Sequence, residues 1–185
     1  MTDDARLLML VDRQDIHDCL LRFCRGMDRF DRALFLSAFH TDAVIAAGPY
    51  VGDVAGCWEW AKPLHEAGQV LTHHVLLNHY IDIAGDTAHS ECYYQFIGRN
   101  HPWEEGGGET VTLAGGRYID RLERRDGSWR IALRTNVIEW SCIQPSLPPP
   151  FGDVPDISAN GRSARDSSDP SYQRPLVNHR APSKP

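Results

Sequence analysis

No C-x-x-C pair links the five cysteines, Cys19, Cys24, Cys57, Cys92 and Cys142. An odd set without that spacing does not read as a disulfide scaffold, and it fits small core residues in a reducing compartment. The nine histidines form neither an H-E-x-x-H helix nor an H-x-H strand pair, so a metalloenzyme is disfavoured and no metal or cofactor is expected. A phosphate-cradling loop and a nucleophile elbow are missing as well. Basic charge is in deficit, with 19 Lys and Arg against 25 Asp and Glu and a formal charge of −6. A nucleic acid or an anionic membrane would meet a repulsive field, and neither is expected as a partner. No window approaches the roughly 18 apolar residues of a membrane helix. The acidic start Met1-Thr2-Asp3-Asp4, with only a short apolar run from Leu7 to Val11, lacks the basic flank and long apolar stretch of a secretory signal. The expectation is a soluble, cytoplasmic protein.

What is present suffices for one well-packed domain. The 185 residues are 42% hydrophobic, too few for two ordinary domains. Composition changes near residue 146: Ser146 to Pro150 is proline-rich, and the chain from Asp153 to Pro185 is polar with few aliphatics. Such a segment cannot build its own core, so residues 1–145 read as the domain and 146–185 as a tail, draped or disordered. Tyr172 and Leu176, framed by Pro170 and Pro175, are its natural anchors if it docks.

Helices come first and strands later. Ile16, Cys19, Leu20, Phe23 and Met27 fall at helical spacing, with Asp12 as N-cap and an end near Gly26. Asp31 caps a second, short helix carrying Leu34, Phe35, Ala38 and Phe39. After Ala43-Val44-Ile45 and a Gly48-Pro49-Tyr50 turn, Asp53 caps a third helix that Pro63 should bend or stop. Extended stretches follow at Val70 to Ile83, Thr87 to Gly98, Thr110 to Glu123 and Trp129 to Trp140. Asp126-Gly127 is the strongest hairpin signal among their connections. This is an α+β pattern, with N-terminal helices packed on one face of a strongly bent, mostly antiparallel sheet.

The most informative pairing is Asp28, in Met27-Asp28-Arg29, with the imidazoles of Leu71-Thr72-His73-His74-Val75-Leu76-Leu77-Asn78. A carboxylate at a helix C-terminus faces the negative end of the dipole and invites a compensating partner. A buried carboxylate holding a neutral imidazole makes a base that needs no cofactor.

The succession Met27-Asp28-Arg29-Phe30-Asp31, Phe39-His40-Thr41-Asp42-Ala43, His74-Val75-Leu76-Leu77-Asn78, Gly85-Asp86-Thr87-Ala88 and Gly116 through Trp129 resembles SnoaL-like members of the nuclear-transport-factor-2 superfamily. The likeness spans about residues 8 to 143. It is nearest to the cofactor-independent lyases of that group: the dehydrochlorinase, scytalone dehydratase, bile-acid dehydratase and formaldehyde-releasing diarylpropane lyases. The resemblance implies a cone-shaped α+β barrel with a deep pocket, a hydrophobic small-molecule substrate, and a homo-oligomer, trimer before dimer. Carried over, it places the catalytic Asp on Asp28, the His on His74 and the cationic partner on Arg134. It also shows a departure: where relatives carry Lys or Tyr five residues before the Asp, this chain has Phe23.

In that reading Asp28 fixes the His74 tautomer and stabilises the imidazolium. His74 removes a proton, and Arg134 stabilises the developing oxyanion or hydroxide. The expected activity is therefore a lyase acting on an aromatic or polycyclic hydroxylated compound, by dehydration or retro-aldol cleavage. A ketosteroid-isomerase-like proton shift, a ligand-binding module and a dioxygenase β-subunit-like structural protein are the alternatives. Each residue has a plainer reading. Asp28 could simply end its helix, His73 could replace His74 because alternation turns only one inward, and Arg134 could be a surface ion-pair residue. Alternation sets Arg134 opposite Trp129, Ile131 and Leu133, but the apolar face switches at Ile138 and Trp140, which fits a bulge near Arg134. Tyr94 and Phe96 share a face and are the first choices for the pocket, with Phe23. Tyr50, Tyr93, Tyr94 or Trp103 could replace the missing polar helper, and the loop from His101 to Gly108 reads as an ordinary connection.

Overall fold

A computed structural model describes residues 2–146, 154–178, 180 and 181. The elements run α1 (Asp3–Asp28), α2 (Arg32–Ser37), β1 (Phe39–Ala47), β2 (Tyr50–Asp53), α3 (Val54–Gly68), β3 (Gln69–Ala84), β4 (Thr87–Asn100), β5 (Thr110–Arg125) and β6 (Ser128–Pro145). The six strands form one curved, unclosed sheet in the order β2-β1-β6-β5-β4-β3, antiparallel except where β1 runs parallel to β6. The helices lie against its inner face, giving the expected α+β class. No described helix is long and apolar enough to cross a membrane.

Helix α1 buries Ile16, Cys19, Leu20, Phe23, Cys24 and Met27, a stripe at i, i+3, i+4, i+7 spacing. It starts earlier than the buried stripe predicts. Thr2, not Asp12, is the N-cap, accepting from the Ala5 N–H. Leu7, Leu8, Leu10 and Val11 are exposed on the added turns, so a core-facing periodicity could not register them. Asp12 instead accepts from Trp129 Nε1 and Arg124. Asp31 and Asp53 cap α2 and α3 as expected, accepting from the N–H groups of Leu34 and Gly56. Pro63 does not stop α3, which runs on to Gly68. β2 is a short edge strand paired with β1, in a stretch that reads as a turn from its Gly48-Pro49 start. Four cysteines are buried, but Cys142 is exposed near the end of β6.

The α1–α2 corner is unusually close. A Cβ on Gly26 would lie 2.6 Å from the Phe35 backbone nitrogen, and Phe30 turns the chain at a φ of 51°. This tight corner delivers Asp28, the last residue of α1, to the inner face of β3.

The described part of the C-terminal segment lies back on this corner. Tyr172 donates its hydroxyl to Asp31, and Arg25 stacks over its ring at 4.7 Å. Asp169 is buried, 3.5 Å from Arg29. Tyr172 is thus an anchor, whereas Leu176 is 76% exposed and is not. The prolines Pro148, Pro149 and Pro150 of the proline-rich stretch lie outside the described residues.

Candidate active site

Strand alternation turns Thr72 and His74 inward from β3 and leaves His73 exposed. Asp28 meets both inward residues. The His74 ring donates from Nδ1 to Asp28 Oδ1 at 2.7 Å, the His74 backbone N–H donates to Oδ2 at 2.9 Å, and the Thr72 hydroxyl donates to Oδ1 at 2.8 Å. Burial alone would raise the Asp28 carboxyl, but the His74 imidazole and these hydrogen bonds outweigh it and hold the group below its ordinary range. An ionised carboxylate accepts only, so the His74 proton sits on Nδ1 and Nε2 is the free nitrogen. The cost of a carboxylate at a helix C-terminus is met by donors from a neighbouring strand.

Arg134 faces inward because β6 carries a bulge. Leu122 pairs with Ile131 while Arg121 pairs with Leu133, so Ala132 is the extra residue and both Ile131 and Ala132 are buried. The inward set changes from Trp129 and Ile131 to Arg134 and Asn136. Arg134 is fully buried in a two-bond pair with Asp120, at 2.8 and 2.6 Å. Burial opposes its charge, but Asp120 overrides that and keeps it firmly protonated. Its guanidinium lies 4.3 Å from the ring centres of Phe23 and of Tyr118. Phe23 therefore supplies an aromatic face to Arg134 where a polar helper would otherwise stand. Pairing with Asp120 also tempers the expected role of Arg134 as a free positive charge.

His74 and Arg134 line a cavity of about 270 Å³ bounded by Phe23, Tyr94, Phe96, Tyr118, Trp60 and Ile138, among others. His74, Arg134, His65 and Asn136 are polar members of the lining. Two buried atoms of lining residues have no hydrogen-bond partner among the described residues, Arg134 Nη1 and Asn136 Oδ1. A buried donor and a buried acceptor left unpaired two residues apart on one strand each call for a polar partner. Asn136 was findable in the sequence, since it lies two residues beyond Arg134 on the same strand face.

His65 was not findable, because it depends on where α3 ends. Its Nδ1 lies 3.0 Å from Gln69 Oε1, and its ring meets the His74 ring edge-on at 6.0 Å. Burial pushes His65 down to about 4, with His74 adding to the effect, so it stands neutral in the cavity wall.

Two expected substrate-binding residues lie elsewhere. Tyr50 stacks on Trp60 and donates its hydroxyl to the Asp53 carbonyl, held by its own helix cap. Trp103 is 72% exposed in the β4–β5 loop, its indole N–H donating to Thr110. Tyr93 points outward from β4, opposite to Tyr94. Of the candidates for a polar helper, Tyr94 alone lines the cavity. Among the described residues, no group of three or more His, Cys, Asp or Glu could hold a metal ion.

The SnoaL-like domain model matches residues 9–135. Similar solved structures include a hexachlorocyclohexane dehydrochlorinase, LinA type 2, with 20% identity, a TM-score of 0.68, and coverage of 78% of this chain and 98% of that one. A candidate scytalone dehydratase from Novosphingobium aromaticivorans has 16% identity, a TM-score of 0.61, and coverage of 72% and 87%. A candidate aromatic ring hydroxylase from the same organism has 23% identity, a TM-score of 0.61, and coverage of 75% and 95%. At these identities the likeness establishes a shared fold. No curated protein sequence matches the chain. The fold and the matched domain together show that the chain belongs to the SnoaL-like domain family of the nuclear-transport-factor-2-like superfamily.

Proposed function

We propose that the protein is a cofactor-independent lyase that removes a proton from a small hydrophobic, hydroxylated aromatic compound, with dehydration as the leading reaction. The observation that carries this reading is the His74 ring, fixed by Asp28 at 2.7 Å with its second nitrogen free in the wall of an apolar cavity. In the dehydration, His74 Nε2 takes the proton from the carbon next to the one bearing the hydroxyl. The C–H electron pair becomes the new C=C bond, and the C–O bond breaks. The departing hydroxide takes a proton from the imidazolium and leaves as water, restoring neutral His74. Asp28 stabilises the imidazolium in between. Arg134 Nη1 is the donor for the leaving oxygen, and Asn136 Oδ1 accepts from a second polar substituent.

Volume narrows the substrate. A dry cavity of about 150 Å³ accepts benzene, so a cavity of about 270 Å³ has room for one or two rings. A retro-aldol cleavage would use the same imidazole on the proton of a hydroxymethyl group: the O–H electron pair becomes the C=O bond of formaldehyde, the C–C bond breaks, and its pair, held by a carbonyl conjugated to that carbon, recovers the proton from the imidazolium. The test is incubation with a panel of one-ring, two-ring and four-ring alcohols, followed by NMR for water loss or formaldehyde. Dehydration of one- or two-ring members supports the proposal. Formaldehyde release assigns the carbon–carbon cleavage, and binding without turnover across the panel points to a ligand-binding module.

A further inference from the structure

Asp28 does not hold His74 unaided. Thr72 Oγ1 receives a hydrogen bond from Arg165 Nη2 at 3.2 Å, and Arg165 belongs to the C-terminal segment, beyond the matched residues 9–135. A guanidinium can only donate. With Arg165 donating into Thr72 Oγ1, the single hydroxyl proton of Thr72 turns to the acceptor on its other side, Asp28 Oδ1 at 2.8 Å. The polarity of the chain Arg165 to Thr72 to Asp28 is thereby set from the tail, and it ends with both carboxylate oxygens committed to Thr72 and His74.

The same guanidinium holds the frame around the pair. Its Nη1 donates to the carbonyls of His65 and Gln69, at 3.0 and 3.2 Å, at the C-terminal end of α3. A cation suits that end of a helix. The Phe30 ring lies 3.6 Å beneath, at the α1–α2 corner. One side chain thus ties the end of α1, the end of α3 and the start of β3. Burial brings Arg165 down to about 10 while Asp28 and Glu66 oppose that, so it stays charged near neutral pH.

We propose that Arg165 is a positioning residue for the Asp28–His74 pair, so that the C-terminal segment is a working part of the site and not only a cover. This rests on the lyase reading for its catalytic consequence, but the positioning itself is readable without turnover. The ionisable groups around His74 and Arg165 are Asp28 and Arg29 at the end of α1, Cys57, His65 and Glu66 on α3, Tyr94 and Tyr118 on the sheet and Arg134 on β6. Among the cations here, Arg165 is the one hydrogen-bonded to the Thr72 hydroxyl.

The experiment compares full-length wild-type, Arg165→Gln, Arg165→Lys and Tyr172→Phe proteins. The signal is the downfield proton resonance of His74 Nδ1–H, assigned by its loss in His74→Ala, with its rate of exchange with water. Tyr172→Phe removes the tail's bond to Asp31 but leaves Arg165 in place, and so controls for loosening of the segment. The expected result is a resonance kept in wild type and Tyr172→Phe, largely restored in Arg165→Lys, and broadened or exchanging at least about tenfold faster in Arg165→Gln. On the active compound from the panel, kcat of Arg165→Gln should fall with KM little changed. An unaltered resonance and exchange rate in Arg165→Gln would overturn the proposal, even with turnover intact in wild type. A resonance that responds as expected in a protein without turnover would sink the lyase reading and leave the positioning role standing.

Discussion

The Asp28 carboxylate touches His74 twice, through the ring at 2.7 Å and through the backbone N–H at 2.9 Å. The second contact fixes the carboxylate to the strand that carries the imidazole, so ring orientation and strand position are set together. Asp28→Asn keeps the shape but can present an N–H to Nδ1, favouring the wrong tautomer. Its turnover should fall roughly 10²- to 10⁴-fold with the fold intact. His73→Ala, on the exposed side of β3, should stay within a few-fold of wild type. Steady-state rates with circular dichroism check both, and equal losses in the two variants would overturn the choice of His74.

The Arg134–Asp120 pair is buried, so each member depends on the other. Asp120→Asn or Arg134→Leu should destabilise by about 3–5 kcal/mol, because one charge stays buried without its partner. Arg134→Lys should also lose stability, since an ammonium cannot make the two-bond contact with Asp120 or match the planar guanidinium's contact with the rings of Phe23 and Tyr118. Urea titration measures this, and a loss under about 1 kcal/mol would show that the pair is not coupled in this way.

Stability should depend on pH through two histidines. His65 and His79 are each held down to about 4, chiefly by burial, with His17 also acting on His79. In the unfolded chain they titrate at the ordinary value of 6.5. Below that value the unfolded state binds protons that the folded state refuses. Their contribution is therefore complete above pH 6.5, declines as pH falls toward about 4, and levels off below. For the more buried His65 it amounts to roughly 3 kcal/mol, and for half-buried His79 to less. Asp28 acts in a lower window. Its carboxyl is depressed below 3.8, so its contribution is present above that value and is lost as pH falls through the folded one. Urea midpoints from neutral pH to about pH 4 test the sign, and His65→Gln should flatten much of the slope. A midpoint that rises on acidification would contradict the account.

Gly26 has no room for a side chain. A Cβ there would lie 2.6 to 2.8 Å from the backbone and Cβ of Phe35. Gly26→Ala should cost about 1–3 kcal/mol despite the better helix propensity of alanine. Because the strain falls two residues before Asp28, turnover should drop along with the melting temperature. Full activity at wild-type stability would mean that the corner opens freely.

Much of this fold is legible in the sequence because it is written in local terms. The Asp31 and Asp53 caps, the Asp126-Gly127 turn and the four long strands each depend on neighbours within a few residues. What alternation could not place is what bulges decide. Arg134 turns inward because Ala132 is the extra residue on β6; the switch of the apolar face at Ile138 and Trp140 signals a bulge nearby but not its position. Trp103 and Tyr50 show the opposite error, since aromatic character suggests a pocket while a loop position and a helix cap settle where they lie. His65 and Arg165 were invisible for a third reason. Their roles arise where the end of α3, the start of β3 and the C-terminal segment meet, contacts that span about a hundred residues for Arg165.

His74 is proposed as the base that moves the substrate's proton. That role is tested most directly by measuring binding and turnover of the active aryl alcohol with wild-type and His74→Ala proteins, by calorimetry and NMR on the same samples. Both proteins should bind the compound with comparable affinity, and only the wild type should convert it. Comparable conversion by His74→Ala, or binding without conversion by the wild type, would contradict that role.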